Sequence, residues 1–460
     1  MDSARTPRAP RTFDVAAFIE GRALSPFNRK LILLSWLITV FDGFDMQMVA
    51  FTAPYMRDEL HLTTPMLGKV FSAGTLGMVL GGLGFSYIGD RVGRRPTVLA
   101  AAFLFGFLTI GTAFAQSYTQ LLVLRLLDGM AIGGMLPLAW ALNIEFVPRR
   151  IRATVVTIIM MGYSLGSSIA GPMTTFIAPS YGWQGVYLAG GIGTLACALA
   201  LLLFLPESVR FLVAKGIKPE VVAATLRRVE PGLDVRGDDR FVLGDEQRAT
   251  RHFHVRELFG NRLAPITLLI WVSYMVSSLA IYFSSSWGPL ILETLNTPRS
   301  TAAWLSSLGG LLGAGAGILL MRLTEHRGPG WIAVYPLIAA PVLLVLGFGL
   351  LPQSLFLPAV VLCATLVGGQ HSALISITGI FYPSAIRASG GGWAASIGKG
   401  GGVLGPILGA VALTSGMPVL RTYALLAACP AILCVCLLLL GIVVRRRVEL
   451  APAPDVVPAS

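Results

Sequence analysis

The sequence predicts an all-α membrane protein with twelve transmembrane helices in two pseudo-symmetric six-helix halves. Of the 460 residues, 55% are hydrophobic and only 13% are charged, which is typical of chains that cross a bilayer many times. The 28 prolines and 52 glycines lie scattered through apolar stretches, as transmembrane helices tolerate. A junction sequence that occurs twice along the chain indicates the two halves.

Twelve apolar spans are long enough for a transmembrane helix, which needs about 20 apolar residues. They are 31–54, 70–89, 97–115, 121–146, 153–178, 186–205, 264–292, 302–323, 331–351, 359–381, 388–414 and 422–444. The longest polar stretch separates the first six spans from the last six. The predicted division is an N-terminal segment (1–30), an N-terminal half (31–205), a central loop (206–263), a C-terminal half (264–444) and a tail (445–460).

The net charge of +12 could suggest a nucleic-acid partner, but the distribution of the charges opposes it. With the N-terminus on the cytoplasmic side, 29 of the 35 lysines and arginines fall in cytoplasmic segments. The opposite loops hold four, Arg57, Lys69, Arg299 and Arg421, and the remaining two lie within spans. This positive-inside bias predicts that both termini are cytoplasmic and that the chain contacts lipid, not nucleic acid.

Two junctions between spans share one pattern. The first begins at Phe146 (F-V-P-R-R-I-R-A-T) and the second at Phe381 (F-Y-P-S-A-I-R-A-S), an offset of 235 residues. The loops at Arg91 and Arg322 correspond at a similar offset of 231 residues. Duplicated halves around a site near the midplane of the bilayer are typical of secondary transporters.

Two acids, Asp42 and Asp45, lie within the first apolar span. Each costs roughly 2.5–3.5 kcal/mol on insertion scales, so chains rarely carry two without a function for them. Their i, i+3 spacing places both carboxylates on one face of a helix. Because two close carboxylates in a low dielectric tend not to ionise together, one of them can carry a proton. Proton coupling is the functional interpretation, and hydrogen bonding to neighbouring helices is the structural alternative.

Three motifs resemble those of the major facilitator superfamily. Gly89–Pro96 (G-D-R-V-G-R-R-P) follows the second span, Arg125–Gly129 (R-L-L-D-G) begins the fourth, and Pro206–Phe211 (P-E-S-V-R-F) follows the sixth. This resemblance covers most of the chain and implies the major facilitator fold.

Within that superfamily, the chain most resembles the aromatic acid:proton symporters. The resemblance rests on D-G-F-D at Asp42–Asp45, on Y-P-x-x-x-R-A-x-G at 382–390 and on G-K-x-G at 398–401. It implies that the span-one acids couple transport to protons and that the protein lies in a bacterial inner membrane. The first glycine of the loop motif is Ser86 here, and its second-half copy has Met321 in place of the acid.

Arg125 and Asp128 in the fourth span are also spaced i, i+3 and can neutralise each other as a structural ion pair. The family resemblance implies instead that Arg125 interacts with the span-one carboxylates or with the substrate as the proton moves. Gly129 and Gly133 form a small-residue face that permits close approach of another helix.

Lys399 is the predicted cationic substrate contact in the eleventh span. An ammonium in a glycine-rich span is costly unless it meets an anion, such as a substrate carboxylate or an acid of the protein. The family pattern has arginine here, and lysine lacks the planar two-pronged grip of arginine on a carboxylate.

Five uncharged or aromatic residues are further candidate substrate contacts. Gln370 and His371 lie in the tenth span and can hydrogen-bond a ring hydroxyl. Tyr282, Trp287 and Trp393 can stack on an aromatic ring. Packing inside the bundle is the structural alternative for all five.

Six charged residues near the cytoplasmic ends of spans are candidate gating residues. Ion pairs among such residues can hold one face of a transporter closed. They are Asp90, Arg91, Arg94, Glu145, Arg152 and Arg387. Structural salt bridges within loops are the alternative.

These observations predict import of an aromatic carboxylate, of hydroxybenzoate or benzoate type, by proton symport through alternating access. The predicted site lies between the halves and is formed by spans 1, 4, 7, 10 and 11. Alternatives on the same fold are an importer of another organic acid or solute and a drug or metabolite efflux antiporter.

No enzyme activity is predicted, because the sequence offers no nucleophile–base pair or metal-ligand cluster. No cofactor is predicted either: the G-x-G-x-x-G match at 400–405 lies in a membrane span and follows no strand. Small residues for helix packing explain those glycines. The expected partners are the small aromatic acid, protons and membrane lipid, with the monomer as the functional unit.

Overall fold

The computed structural model describes residues 11–244, 255–260, 263–382 and 386–449. Most of these residues are helical. The helices are α1 (Val15–Glu20), α2 (Pro26–Leu60), α3 (Thr64–Val92), α4 (Arg94–Thr112), α5 (Tyr118–Glu145), α6 (Arg152–Phe204), α7 (Val209–Ala214), α8 (Pro219–Val229), α9 (Ala264–Thr294), α10 (Arg299–Arg327), α11 (Val334–Gly347), α12 (Gln353–Phe381), α13 (Arg387–Thr414), α14 (Arg421–Leu426) and α15 (Ala428–Glu449). The two short strands are β1 (Thr12–Asp14) and β2 (Arg240–Val242).

Eleven helical stretches of the described residues are long and apolar enough to cross a membrane. One of them, Arg149–Phe204, has 56 residues. As one straight helix at about 1.5 Å per residue it would be roughly 84 Å long, nearly three times the ~30 Å hydrocarbon core of a bilayer. It is broken at Gly182, whose φ of 66° and ψ of 179° suit glycine alone. The stretch therefore holds two spans, and the prediction of twelve is confirmed.

Contacts divide the helices into two compact units. Among the described residues, the first unit contains 11–46, 76–167 and 181–244. The second contains 47–75, 168–180 and 255–449. The second unit thus includes, besides the C-terminal helices, the end of α2, the start of α3 and a central part of α6. The predicted sequence boundaries of the two halves stay a prediction.

The apolar core of the first unit joins membrane helices to the segments that flank them. Ile38 of α2, Phe105 of α4 and Ile132 of α5 are completely buried in one cluster. Val15 of α1 and Leu226 of α8 belong to the same cluster. The N-terminal segment and the central loop are therefore packed onto the helical core of this unit, which the sequence analysis did not predict.

The strands β1 and β2 pair in parallel and connect the N-terminal segment with the central loop. Their register aligns Thr12 with Arg240 and Asp14 with Val242. Asp14 also caps α1, since its side chain accepts hydrogen bonds from the backbone N–H groups of residues 16 and 17. Nearby, Arg22 forms a 2.7 Å ion pair with Glu230.

Close packing of α13 against α9 organises the second unit. A Cβ atom at Gly401 would overlap the carbonyl oxygen of Met275, so only glycine fits at this crossing. Gly405 and Gly409, which continue the same face, lie against Leu279 and Trp287. The prediction that the glycines of this span serve helix packing is confirmed at Gly401 and Gly405 but not at Gly400, beside which no atom lies within 4 Å of where a Cβ would be. A separate apolar cluster in this unit includes Ile270, Leu320, Leu437 and Leu440.

Candidate functional site

Helices α2 and α5 place two carboxylates on one guanidinium in the first unit. The Nη1 atom of Arg125 donates to Asp45 Oδ2 at 2.9 Å and to Asp128 Oδ2 at 2.8 Å. All three side chains are at most 2% exposed. The sequence predicted that Arg125 would meet either Asp128 or a span-one acid, and the structure brings it to both.

This cluster holds more negative than positive charge if both acids are ionised. Two carboxylates face one cation in a buried site. Two close carboxylates in a low dielectric tend not to ionise together. The arrangement therefore suits a site that holds one proton and can exchange it.

Asp42 lies one helical turn before Asp45 and is completely buried. Neither of its carboxylate oxygens has a hydrogen-bond partner among the described residues. An ionised carboxylate without a partner costs several kcal/mol in a buried environment. The pair predicted from spacing thus contains two different environments: Asp45 is ion-paired, and Asp42 is buried without a hydrogen-bond partner among the described residues.

Glycines allow the backbones that carry these acids to approach their neighbours. A Cβ atom at Gly43, between the two span-one acids, would overlap the carbonyl oxygen of Tyr163 on α6. A Cβ atom at Gly133 of α5 would overlap the carbonyl oxygen of Met78 on α3. The predicted small-residue face of the fourth span is therefore confirmed at Gly133.

Thr109 of α4 is a member of this cluster that the sequence analysis missed. Its hydroxyl lies 3.3 Å from Asp128 Oδ1 and 3.5 Å from Asp45 Oδ1. Threonines occur at many positions of the spans, and no spacing rule connects this one in the third span with acids in the first and fourth. No sequence signal was available to find it.

In the second unit, Lys399 projects from α13 and is half-buried. No carboxylate of the described residues lies within 4.0 Å of its ammonium group, so the predicted alternative of a structural ion pair gains no support there. The neighbouring Gly398 and Gly402 pack against Tyr274 and Tyr282 of α9. Tyr282, predicted as a stacking residue, is half-buried beside this crossing.

Gln370 and His371 of α12 differ in their surroundings. The ring Nδ1 of His371 lies 3.1 Å from the hydroxyl of Ser277 on α9, and the imidazole is half-buried. Gln370 is 2% exposed and lines a small cavity with Ser277, Pro336 and Leu433, with room for about one water molecule. Its amide has no hydrogen-bond partner among the described residues.

The two predicted tryptophans also differ. Trp287 is completely buried, donates from Nε1 to the carbonyl of Pro406 at 2.9 Å and meets Phe71 edge to face. These contacts favour packing as its role. Trp393 is 41% exposed and stacks on Trp271 with 6.2 Å between ring centroids.

The turn between α3 and α4 is held by acids from elsewhere in the first unit. Glu207 Oε1 accepts hydrogen bonds from the backbone N–H of Arg94 at 3.0 Å and of Arg95 at 3.1 Å. The first backbone N–H groups of a helix have no partner within the helix, and these bonds provide acceptors for two of them at the start of α4. The Arg94 guanidinium pairs with Glu145, which also accepts a hydrogen bond from Ser208. Arg94 and Glu145, both predicted gating residues, are therefore direct partners.

The other predicted gating residues make different contacts. Asp90 and Arg91 are exposed, and the Arg91 guanidinium lies over the ring of Tyr87 at 4.0 Å. Arg152 donates from Nε to the carbonyl of Val147 at 3.2 Å. Arg387 begins α13, and its side chain lies outside the described part of the chain.

A four-residue ionic network, absent from the sequence predictions, joins α2, α9 and α10 in the second unit. It consists of Arg57, Asp58, Glu293 and Arg299. Arg57 reaches Glu293 at 3.3 Å, and Arg299 reaches Asp58 at 2.6 Å and Glu293 at 2.9 Å. Arg57 and Arg299 had been assigned only as loop charges, because the partners across the network are 236 and 241 residues distant in sequence.

The described residues contain no group of three or more histidine, cysteine or acidic side chains that could hold a metal ion.

Comparisons with known proteins identify the family of the chain. The chain matches the sequence profile of the Major Facilitator Superfamily over residues 35–406. It is 33% identical over 420 residues to a 4-hydroxybenzoate transporter of Pseudomonas aeruginosa, covering 90% of this chain and 93% of the relative. It is 32% identical over 413 residues to a gallate transporter of Pseudomonas putida, covering 89% and 91%.

Among solved structures, a D-xylose–proton symporter superposes with a TM-score of 0.70 at 16% identity, covering 89% of this chain and 97% of the other. At that identity the likeness concerns the fold alone.

Proposed function

Since this chain belongs to the major facilitator superfamily, we propose that it is a secondary transporter that imports an aromatic carboxylate together with protons through alternating access. The observation that carries the proposal is the buried cluster of Asp45, Arg125 and Asp128, with Asp42 one turn away. The family assignment makes the protein a multi-pass membrane transporter and not an enzyme.

The proposed substrate is a benzoate that carries one or more ring hydroxyls. Relatives at 31–33% identity that cover about nine tenths of the chain are named for 4-hydroxybenzoate and for gallate. Lys399, a half-buried cation without a carboxylate partner among the described residues, supports recognition of the acid group. His371, Gln370, Tyr282 and Trp393 are the proposed contacts for the ring and its hydroxyls.

Proton coupling is proposed from the charge balance of the buried cluster. One guanidinium cannot neutralise two carboxylates, so uptake of one proton leaves the cluster neutral. Burial of a net charge is costly, whereas a neutral cluster is cheap to move between conformations. The protonated cluster is therefore the form in which the substrate-loaded carrier changes its direction of access, and the empty carrier returns after it has released the proton inside.

The proposed orientation places both termini in the cytoplasm of a bacterium with the protein in the inner membrane. In this orientation Arg94 and Glu145 lie near the cytoplasmic face, with Asp90, Arg91, Arg152 and Arg387, and act there as gating residues. The four-residue ionic network then lies on the opposite face, where it holds the outer ends of α2, α9 and α10 together. We expect the monomer to be sufficient for transport.

The deciding experiment is uptake into proteoliposomes that contain the purified protein. Labelled benzoate, 4-hydroxybenzoate, trihydroxybenzoate and aliphatic acids of similar size are offered with and without an imposed pH gradient, acidic outside. We expect accumulation of hydroxylated benzoates above the equilibrium level that depends on the gradient. Uptake of aliphatic acids alone would refute the substrate class, and accumulation unaffected by the gradient would refute the coupling.

A further inference from the structure

Thr109 lies within the buried acid cluster but has no role in the coupling mechanism proposed above. It lies on α4, at 1% exposure, between the acids of α2 and α5. Its Oγ1 atom has three oxygen neighbours: the carbonyl of Phe105 at 2.9 Å, Asp128 Oδ1 at 3.3 Å and Asp45 Oδ1 at 3.5 Å. Phe105 is one helical turn before Thr109 on the same helix.

A hydroxyl has one hydrogen to donate and two lone pairs with which to accept. The 2.9 Å contact is of ordinary hydrogen-bond length, whereas 3.3 Å and 3.5 Å are long for O–H···O. The distances therefore favour the Phe105 carbonyl as the acceptor for the hydrogen of Thr109, which leaves the lone pairs of the hydroxyl for a carboxyl that carries a proton. A lone pair attracts a carboxyl that carries a proton and repels one that is ionised.

The charged and titratable groups around Thr109 come from three elements. Asp42 and Asp45 lie on α2, and Arg125 and Asp128 lie on α5. Tyr187, on the second span of α6, interacts electrostatically with Arg125. Arg125 donates to both acids of the ion-paired cluster and has no acceptor atom, so a protonated carboxyl there needs an oxygen acceptor, which Thr109 offers.

We propose that Thr109 is a positioning residue for proton coupling: its hydroxyl oxygen accepts the hydrogen bond of whichever acid, Asp45 or Asp128, carries the transported proton. The inference rests on the function proposed above. When the proton arrives, an O–H bond of a hydronium ion breaks to leave water, one carboxylate oxygen forms an O–H bond, and the cluster gains one positive charge. Thr109 stabilises that state without touching the substrate.

Replacing Thr109 tests this role through the pH dependence of uptake. Thr109→Val keeps the shape of the side chain but removes the acceptor, so the cluster binds its proton more weakly. A lost net hydrogen bond corresponds to roughly fivefold weaker proton binding, or about 0.7 pH units. We expect the pH of half-maximal uptake in proteoliposomes to move lower by that amount, and Thr109→Ser to restore the wild-type value.

Thr112→Val is the matched control. Thr112 is equally buried on the same helix and donates to the Leu108 carbonyl at 2.8 Å, but no hydrogen bond joins it to Asp42, Asp45 or Asp128 among the described residues. We expect its variant to keep the wild-type pH profile. Thr109→Ala provides the same readout if the valine variant does not fold.

Three outcomes are decisive. An unshifted profile in the folded Thr109→Val or Thr109→Ala variant overturns the proposal, and so does an equal shift in Thr112→Val. A wild-type protein whose uptake does not depend on pH instead refutes the proposed proton coupling itself, so the two failures are distinguishable.

Discussion

At the scale of single residues, one nitrogen of Arg125 is shared by acids from two helices. The 2.9 Å and 2.8 Å bonds to Asp45 and Asp128 make the cation indispensable, since its loss would leave two buried carboxylates unpaired. Loss of either acid, in contrast, leaves a neutral ion pair. The acids can therefore be substituted singly in a protein that still folds.

Asp45→Asn is expected to abolish accumulation driven by a pH gradient while the protein still inserts and folds. The substitution keeps the side-chain shape and leaves Arg125 paired with Asp128, but it removes one of the two groups that compete for a proton. Uptake into proteoliposomes with an acidic exterior measures the effect. Glu59→Gln, which neutralises an exposed acid on the same helix, is the control and should transport normally. Full gradient-driven accumulation by Asp45→Asn would contradict the assignment.

The acids and cations of the spans could be identified from the sequence because charge is rare and costly in a membrane. Asp42, Asp45 and Arg125 were found in this way. Thr109 could not be, because a hydroxyl in a span is common and its importance depends on three helices meeting. Trp287 was predicted to stack on substrate, but whether an aromatic side chain faces a path or a neighbouring helix depends on helix rotation.

At the scale of helices, glycine decides how closely α9 and α13 approach. Gly401 faces the backbone of Met275, whereas the adjacent Gly400 has no atom within 4 Å of where a Cβ would lie. The sequence G-K-G-G-G predicted close packing but not which glycine makes it, because that depends on which side of the helix faces α9.

Gly401→Ala and Gly400→Ala form a matched pair with opposite expected signs. The first forces a methyl group against a backbone carbonyl, and overpacking of this kind costs about 1–3 kcal/mol. The second meets no atom and gains up to about 1 kcal/mol from the better helix propensity of alanine. The midpoint of thermal unfolding in detergent should fall for Gly401→Ala and stay constant or rise for Gly400→Ala. Equal midpoints would contradict the packing described.

The four-residue ionic network is the corresponding feature at the ends of α2, α9 and α10. Its members are partly exposed, so each ion pair contributes at most about 1 kcal/mol. Such a contribution is small for the stability of the protein, but it is sufficient to change the equilibrium between an open and a closed gate about fivefold. The network could not be predicted, since loop charges give no sign of their partners across the fold.

Arg57→Glu should open this end of the protein, because it places a second acid against Glu293. Ser72→Cys reports on the opening, since Ser72 is buried and bonded to the Val403 carbonyl at 2.8 Å. In a background without the five native cysteines, we expect roughly fivefold faster alkylation by a membrane-impermeant maleimide. Adding Glu293→Arg restores opposite charges at the first pair and should return the rate part of the way to that of the parent, because Arg299 then loses Glu293 and keeps Asp58. A double variant as reactive as the single one would exclude the pairing.

At the scale of the whole molecule, the sequence predicts the twelve spans but not the structure of the segments outside them. The length of each apolar run identifies each span. The fifth and sixth spans are connected by a tight turn at Gly182 and therefore form one continuous helical stretch in the structure. The sequence gives no sign that Thr12–Asp14 pairs with Arg240–Val242. A strand of three residues is too short to show an alternating apolar pattern, and its partner lies 228 residues away.

A chain divided after residue 244 should therefore reassemble better than one divided after residue 215. The first division leaves β1, α8 and β2 on one polypeptide, whereas the second places α8 and β2 on the other. Coexpressed fragments 1–244 and 245–460 should retain most of the uptake of the intact chain, and fragments 1–215 and 216–460 should retain a small part. Uptake in whole cells, normalised to the amount of both fragments, measures the difference. Equal recovery would show that the strand pair adds nothing to assembly.

The two strands of this pair are synthesised far apart in time. Residues 12–14 leave the ribosome first, and their partner strand follows 228 residues later. At about 5–20 residues per second, the first strand waits roughly ten to forty-five seconds with its edge unpaired. During that interval six spans must enter the membrane. The strand pair can close only once β2 has been made, and β2 precedes Ala264, where the seventh span begins, so both strands are synthesised before the second half.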